Sequence, residues 1–163
     1  MQLNREQLQS MIEEHGLIQE YVNLERQLTP NGFDLSLGEV HRFQGPGQLD
    51  FSNEERELPD TEPVAKDGDW WELEQGVYKV VANEIVDIPL SLVGIGFPRS
   101  SLMRMGCHIQ NAFWEAGYNG KTECLLCVDN PEGVRLQQDA RILQISFHEM
   151  EEAGSGYDGR YSF

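Results

Sequence analysis

After Gly16 the sequence carries no helical period. Turn punctuation takes its place: Pro30-Asn31-Gly32, Gly45-Pro46-Gly47, Asp67-Gly68-Asp69, Asn119-Gly120 and Asn130-Pro131. Between these signals lie short runs rich in β-branched and aromatic residues. They are Phe33–Leu37, Val77–Ala82, Ile85–Ile88, Leu92–Phe97, His108–Trp114, Thr122–Val128 and Ile142–Phe147. Many short strands with regular turns specify an all-β barrel or sandwich. Only the N-terminus reads otherwise. Asn4 and Gln7 have the spacing of a capping box, and Leu8, Met11 and Ile12 follow at helical spacing before the stop signal at Gly16. One short helix is expected over about residues 4–15.

The chain has 163 residues, enough for one domain, 1–163, with the helix inside 1–16 and a Gly-rich tail over 154–163. Hydrophobic residues at 39% can fill a core, which excludes wholesale disorder. Twenty-eight acidic against twelve basic residues give a net charge of −16. That surface repels a nucleic-acid backbone and an anionic membrane, but still admits a small anionic ligand held by a few local cations. Only three of the cations are lysines (Lys66, Lys79, Lys121). A Lys-poor, acid-rich chain suits a high-salt cytoplasm, or is simply an acidic mesophilic protein. No apolar leader and no membrane-length apolar run is present, and the three cysteines read as free thiols in a reducing cytoplasm.

Cys124-Leu125-Leu126-Cys127 has the spacing of a redox or metal pair, but on a strand residues three apart face opposite ways. The histidines show no metal-ligand spacing. Pro98-Arg99-Ser100-Ser101-Leu102-Met103-Arg104 is more informative: two guanidiniums and two hydroxyls follow an apolar strand in a chain short of cations. Such groups hold phosphate oxygens, or form a structural ion-pair cluster. Asn111 to Gly120 reads as a hairpin with Glu115 near its bend. That carboxylate is either an ordinary surface group or a general base. The acidic stretch 50–69 reads as a solvated excursion. The tail is either a loose end or a segment that orders over a ligand.

Taken in order, these pieces resemble the dUTPase and dCTP deaminase superfamily over about residues 29–161. Pro30 to Leu35 is similar to its first motif, Pro98 to Arg104 to its second and Asn111 to Gly120 to its third. Asp139-Ala140-Arg141-Ile142-Leu143-Gln144 is similar to the fourth, and Tyr157-Asp158-Gly159-Arg160-Tyr161 to the fifth. The resemblance leans toward the dCTP deaminase-like branch that includes archaeal dUTPases. It implies a distorted jelly-roll-like β-barrel, a homotrimer with active sites shared between subunits, and Mg²⁺ bound mainly through the nucleotide's phosphates. It also implies roles. Glu115 is the general base, and Asp34 sits near the Mg²⁺ waters. Arg99, Ser100, Ser101 and Arg104 hold the triphosphate with help from Gln144. Asn111 reads uracil and Tyr118 packs on deoxyribose. Arg160 reaches the phosphates while Tyr157 or Tyr161 covers the site.

The scaffold supports two chemistries. Hydrolysis of dUTP to dUMP and pyrophosphate needs a carboxylate-activated water at the α-phosphate. Deamination of dCTP in this family needs a Glu on the strand after the hairpin. Counted without gaps from Gly120, that position is Leu125, which moves no proton, so dUTP diphosphatase is the leading expectation. Glu123 lies two residues earlier on the same strand face and is the alternative deaminase base. A third expectation is a non-catalytic dUTP-binding sensor.

Overall fold

The computed structural model describes residues 1–162. Helix α1 (Arg5–His15) begins at the expected capping box. The Asn4 side chain accepts the Gln7 N–H at 2.9 Å, and the Gln7 side chain accepts the Asn4 N–H at 3.0 Å. Gly16 ends the helix in the left-handed region at φ 68°. Leu8 and Ile12 pack into the core, and the Leu3 N–H donates to the Phe147 carbonyl, tying the N-terminus to the body.

In chain order the strands are β1 (Ile18–Gln19), β2 (Leu28–Thr29), β3 (Gly32–Gln44), β4 (Asp60–Pro63), β5 (Trp70–Leu73), β6 (Gly76–Asp87), β7 (Leu92–Pro98), β8 (Cys107–Gln110), β9 (Asn119–Val128), β10 (Val134–Gln137) and β11 (Arg141–Glu149). Two short helices, α2 (Leu24–Gln27) and α3 (Ser100–Arg104), lie before β2 and after β7. The main sheet runs β7-β11-β3-β6-β9-β8, with β1 on β6 and β2 and β4 on β3, while β5 and β10 form a separate ribbon. No described helix is long and apolar enough to cross a membrane.

The two ends of the sheet are brought together by one residue. Trp114 and Gly94 exchange backbone hydrogen bonds, N–H of Gly94 to O of Trp114 at 2.9 Å and the reverse at 3.2 Å. The Trp114 indole lies against β7, where a Cβ on Gly96 would stand 2.6 Å from the ring. Its N–H donates to the Thr122 hydroxyl at 3.0 Å, so the buried polar end of the ring is satisfied. The all-β barrel expected from the turn pattern is therefore nearly closed.

Several boundaries differ from the sequence reading. Val77–Ala82 and Ile85–Ile88 belong to one strand, β6, interrupted by a bulge: Val81 faces Glu123 and Ile85 faces Lys121, so three residues of β6 oppose Thr122 alone. The expected strand His108–Trp114 ends at Gln110. Residues 111–118 form an irregular loop because Trp114 leaves the β8–β9 ladder to pair with β7. Strand β3 continues well past Leu37. Its inward phase passes from Phe33, Leu35 and Leu37 to Val40, a shift of one residue at Gly38. On β9 Cys124 faces inward and Cys127 outward, as strand alternation requires. The excursion 50–69 is mostly exposed, with β4 pairing along the outer part of β3.

Substituting Gly96→Ala should lower unfolding stability by about 1–3 kcal/mol, because the added methyl must displace a closely packed indole. Gly154→Ala meets open space and should stay within about 0.5 kcal/mol. Urea unfolding of the two variants checks this; equal stability would show that the Trp114 closure tolerates a side chain.

Candidate active site

The first half of β3 is buried on both faces. Phe33, Leu35 and Leu37 enter the core, while Asp34 and Ser36 lie beneath a polar roof. Asp34 is 1% exposed. Its Oδ2 meets the Arg99 Nε at 3.0 Å and the Arg141 Nη1 at 3.3 Å. Its Oδ1 accepts from the Gln144 amide at 3.3 Å, and that amide also donates to the Thr29 hydroxyl at 3.0 Å. Burial pushes the Asp34 carboxyl up, and Arg99, Arg141 and Gln144 pull it back down. Asp34, the residue expected beside metal-bound waters, has both of its oxygens engaged by these three side chains. Gln144 is likewise held by Asp34 and Thr29.

Arg99 precedes α3, where Ser100, Ser101 and Arg104 are exposed and Arg104 donates to the Ser100 hydroxyl at 3.4 Å. Two guanidiniums against one buried carboxylate leave a net positive charge on this surface. Arg104 adds to it. Of the sequence-selected residues, Arg99 thus meets Asp34 directly, beside Gln144, and Ser100, Ser101 and Arg104 follow it on α3.

A second group gathers around loop 111–118. Glu115 is exposed, and its neighbours are fixed: Trp114 by the bridge to β7, Ala116 by burial, and Tyr118 by a hydrogen bond from its hydroxyl to the Lys121 carbonyl at 2.8 Å. A cavity of about 720 Å³ opens beside it. Glu115, Tyr118, Glu123, Tyr157, Arg160 and Tyr161 all line it, together with Lys79 and Trp114. Glu123 and Leu125 share the outward face of β9, as alternation predicts. Glu123 is ion-paired with Lys79 at 3.1 Å.

The tail completes this cavity. The Tyr157 N–H donates to the Ala116 carbonyl at 2.8 Å. The Tyr157 ring meets Tyr118 edge-on, with centroids 5.7 Å apart. Ser162 both accepts from the Asn119 N–H and donates to the Asn119 carbonyl. Gly117, at φ 82°, lets the tail approach, since a Cβ there would stand 2.6 Å from Gly156 Cα. The final residue of the expected tail, Phe163, lies outside the described residues.

The two groups stand apart. None of Asp34, Arg99, Ser100, Ser101, Arg104 or Gln144 lines the Glu115 cavity. Along β7, Gly94 carries the Trp114 bridge and Arg99 follows the other end, five residues or about 16 Å away. Asn111 sits between them. It donates to its neighbour's carbonyl, Ala112, at 3.0 Å and faces Gly96, in a cleft lined by Ile95 to Pro98 rather than in the Glu115 cavity.

Sequence reasoning missed Arg141 as a functional residue, although it lies inside the quoted fourth motif. The scarcity of cations was the signal that could have found it. It also missed Glu84, fully buried at the β6 bulge and bonded to Ser36 and Gln27. Burial pushes the Glu84 carboxyl up, against these hydrogen bonds. Glu84 shares the inward phase of Tyr78, Val80, Ala82 and Val86, so strand alternation could have found it had β6 been read as one strand.

A β-barrel carrying a cationic cluster at one place and a cavity-facing carboxylate at another defines the class. Residues 2–150 match the family described as dCTP deaminase-like, and the chain belongs to it. A Methanosarcina acetivorans protein named probable deoxyuridine 5′-triphosphate nucleotidohydrolase is 45% identical over 89% of this chain and 86% of its own length. A protein of the same name from Archaeoglobus fulgidus is 41% identical over 98% of this chain and 94% of its own length. The deoxyuridine 5′-triphosphate nucleotidohydrolase of Methanocaldococcus jannaschii is 36% identical over 84% of this chain and 88% of its own. Among solved structures, 2′-deoxycytidine 5′-triphosphate deaminase from Agrobacterium tumefaciens aligns with a TM-score of 0.71 at 18% identity, over 91% of this chain and 48% of that one. It shares the fold.

Burial pushes the Tyr118 phenol up to about 12, with Tyr157 and Glu123 adding to the shift. The folded state therefore keeps the proton that the unfolded chain releases near pH 10, and stability from this group is lost as pH rises from about 10 to 12. In an ultraviolet titration of the folded protein, Tyr118→Phe should leave tyrosinate formation between pH 9 and 11 unchanged. Loss of one titrating phenol in that window would contradict the buried, hydrogen-bonded hydroxyl.

Proposed function

We propose that the chain is a dUTP diphosphatase, converting dUTP and water to dUMP and pyrophosphate. The observation that carries this reading is Glu115: an exposed carboxylate on a loop fixed at both sides, facing a cavity of about 720 Å³. The strand position that deamination requires holds Leu125, and Glu123 beside it is paired with Lys79. The names of the relatives, at 36–45% identity, support the same substrate.

In this mechanism Glu115 accepts a proton from the water that attacks the α-phosphate. Tyr118, held by burial and by Tyr157, forms the wall for deoxyribose, and the loop backbone contacts uracil; Asn111, in the adjoining cleft, braces that loop through the Ala112 carbonyl rather than entering the cavity. Arg99, Ser100, Ser101 and Arg104 bind phosphate oxygens, and Arg141 shares the Asp34 carboxylate with Arg99. Arg160 and Tyr161 close the cavity from the tail. Attack requires the α-phosphate within about 3–3.5 Å of the water. The cationic cluster of the same chain begins about 16 Å along β7 from the Trp114 anchor. Because none of the Arg99-cluster residues lines the Glu115 cavity, we read the site as built from two copies, Glu115 and its cavity from one and the Arg99 cluster from the next, within a homotrimer.

Among the described residues no three carboxylate, imidazole or thiol groups converge on a cation position, and Asp34 is engaged by Arg99, Arg141 and Gln144. This donor set fits Mg²⁺ carried by the triphosphate rather than caged by the chain. The ion would neutralise phosphate charge when bound. We place the enzyme in a reducing cytoplasm, where the free thiols Cys107, Cys124 and Cys127 persist.

Product analysis with dUTP and dCTP in separate Mg²⁺-containing reactions tests the reading. Pyrophosphate and dUMP should form from dUTP, with no ammonia from dCTP, and chelation with EDTA should stop turnover. Glu115→Gln should reduce kcat by about 10²–10⁴ while dUTP still binds. Ammonia from dCTP that disappears in Glu123→Gln would instead establish a deaminase. Tight dUTP binding without turnover would establish a sensor.

A further inference from the structure

Beneath the arginine cluster lies a second carboxylate that the mechanism above does not use. Glu84 is fully buried at the bulge where β6 loses register with β9. The extra residues there preserve the inward phase, so Glu84 faces the polar side of β3 rather than solvent. Its Oε2 accepts the Ser36 N–H at 2.9 Å. Its Oε1 accepts the Ser36 hydroxyl at 2.5 Å and the Gln27 amide at 2.6 Å.

Gln27 is the connection to the site. Its amide nitrogen donates both to Glu84 and to the Asp34 backbone carbonyl at 2.9 Å. Its carbonyl oxygen accepts the Asn23 N–H at 2.8 Å, which fixes the orientation of the amide. Ser36 is also held from its other side, accepting from the Asn83 amide at 2.9 Å. Every polar atom in this chain of contacts is thus committed to one partner geometry. Asp34, two residues from Ser36 on the same strand face, is located by these bonds, and Asp34 in turn holds Arg99 and Arg141.

We propose that Glu84 is a positioning residue for phosphate binding: it fixes Ser36 and Gln27, which set the place of Asp34 and therefore of the two arginines. The role rests on reading the Arg99 cluster as the phosphate-binding half of the site. Glu84 touches no substrate.

Glu84→Gln keeps the shape but offers one acceptor oxygen where three donors converge. Its amide group must face either the Ser36 N–H or the Gln27 N–H, and a buried donor loses its partner. The full-length variant should bind inorganic tripolyphosphate about tenfold more weakly by titration calorimetry. The KM for dUTP should rise by a similar factor, with kcat falling much less. Ser36→Ala, which removes the hydroxyl that donates to Glu84 and accepts from Asn83 but keeps the Ser36 N–H bond, should move both quantities the same way by a smaller factor, and it carries the test if Glu84→Gln fails to fold. In the Asp34→Asn background, Glu84→Gln should add little, because both act through the same arginines.

Folded variants with lowered melting temperature but unchanged tripolyphosphate affinity and KM would overturn the proposal, leaving Glu84 a purely structural group. So would wild-type protein that binds no tripolyphosphate. Wild-type protein that binds tripolyphosphate but does not hydrolyse dUTP would defeat the enzymatic reading while the affinity comparison still decides the role of Glu84.

Discussion

Two guanidinium groups converge on one buried carboxylate, and the placement of nearly every phosphate-binding candidate follows from that contact. A carboxylate at 1% exposure is costly unless it is paired, and Asp34 is paired twice and hydrogen-bonded once. The pairing draws Arg99 from the end of β7 and Arg141 from the start of β11 onto the same point of β3. Ser100, Ser101 and Arg104 follow Arg99 directly and are carried to the same surface. The arrangement leaves surplus positive charge where the chain as a whole is strongly negative. A negative surface that carries a positive locus discriminates against polyanions and still attracts a compact anion.

The carboxylate side of the site depends on a different constraint, closure of the barrel. Trp114 gives up its place in the β8–β9 ladder to bridge Gly94, and the loop that follows must then project Glu115 outward. Glycines on both contacting surfaces permit this, Gly96 under the indole and Gly117 under the tail. One strand, β7, therefore connects the two halves. It accepts Trp114 near its start and delivers Arg99 beyond its end. Its length keeps the halves of one chain apart, which is the physical basis for proposing that neighbouring copies complete each other.

Much of this was legible in the residues. The capping box at Asn4, the opposite facing of Cys124 and Cys127, and the shared face of Glu123 and Leu125 all follow from elementary periodicities. The β-rich runs gave the barrel class. What was not legible depended on register. The bulge at Val81–Ile85 made one strand look like two. The phase shift at Gly38 hid most of β3. Asp34 and Ser36 have the alternation of a solvent face, yet α2, Arg99 and Arg141 cover them, and local sequence carries no sign of a distant roof. Glu84 was missed because it falls in the gap between the two runs read as separate strands, although it keeps the inward phase of Val80 and Ala82. The tail's contacts were not legible either: local sequence carries no sign that Tyr157 bonds to Ala116 and Ser162 to Asn119.

The division of the site between copies is tested most directly by mixing two defective chains. Arg99→Ala and Glu115→Gln should each be nearly inactive alone. Co-expressed at equal levels and verified to mix at random, they should recover roughly a quarter of wild-type activity, since one in four neighbouring pairs then unites an intact Glu115 with an intact Arg99. Mixed assemblies with no recovery would contradict the shared site and return both halves to a single chain.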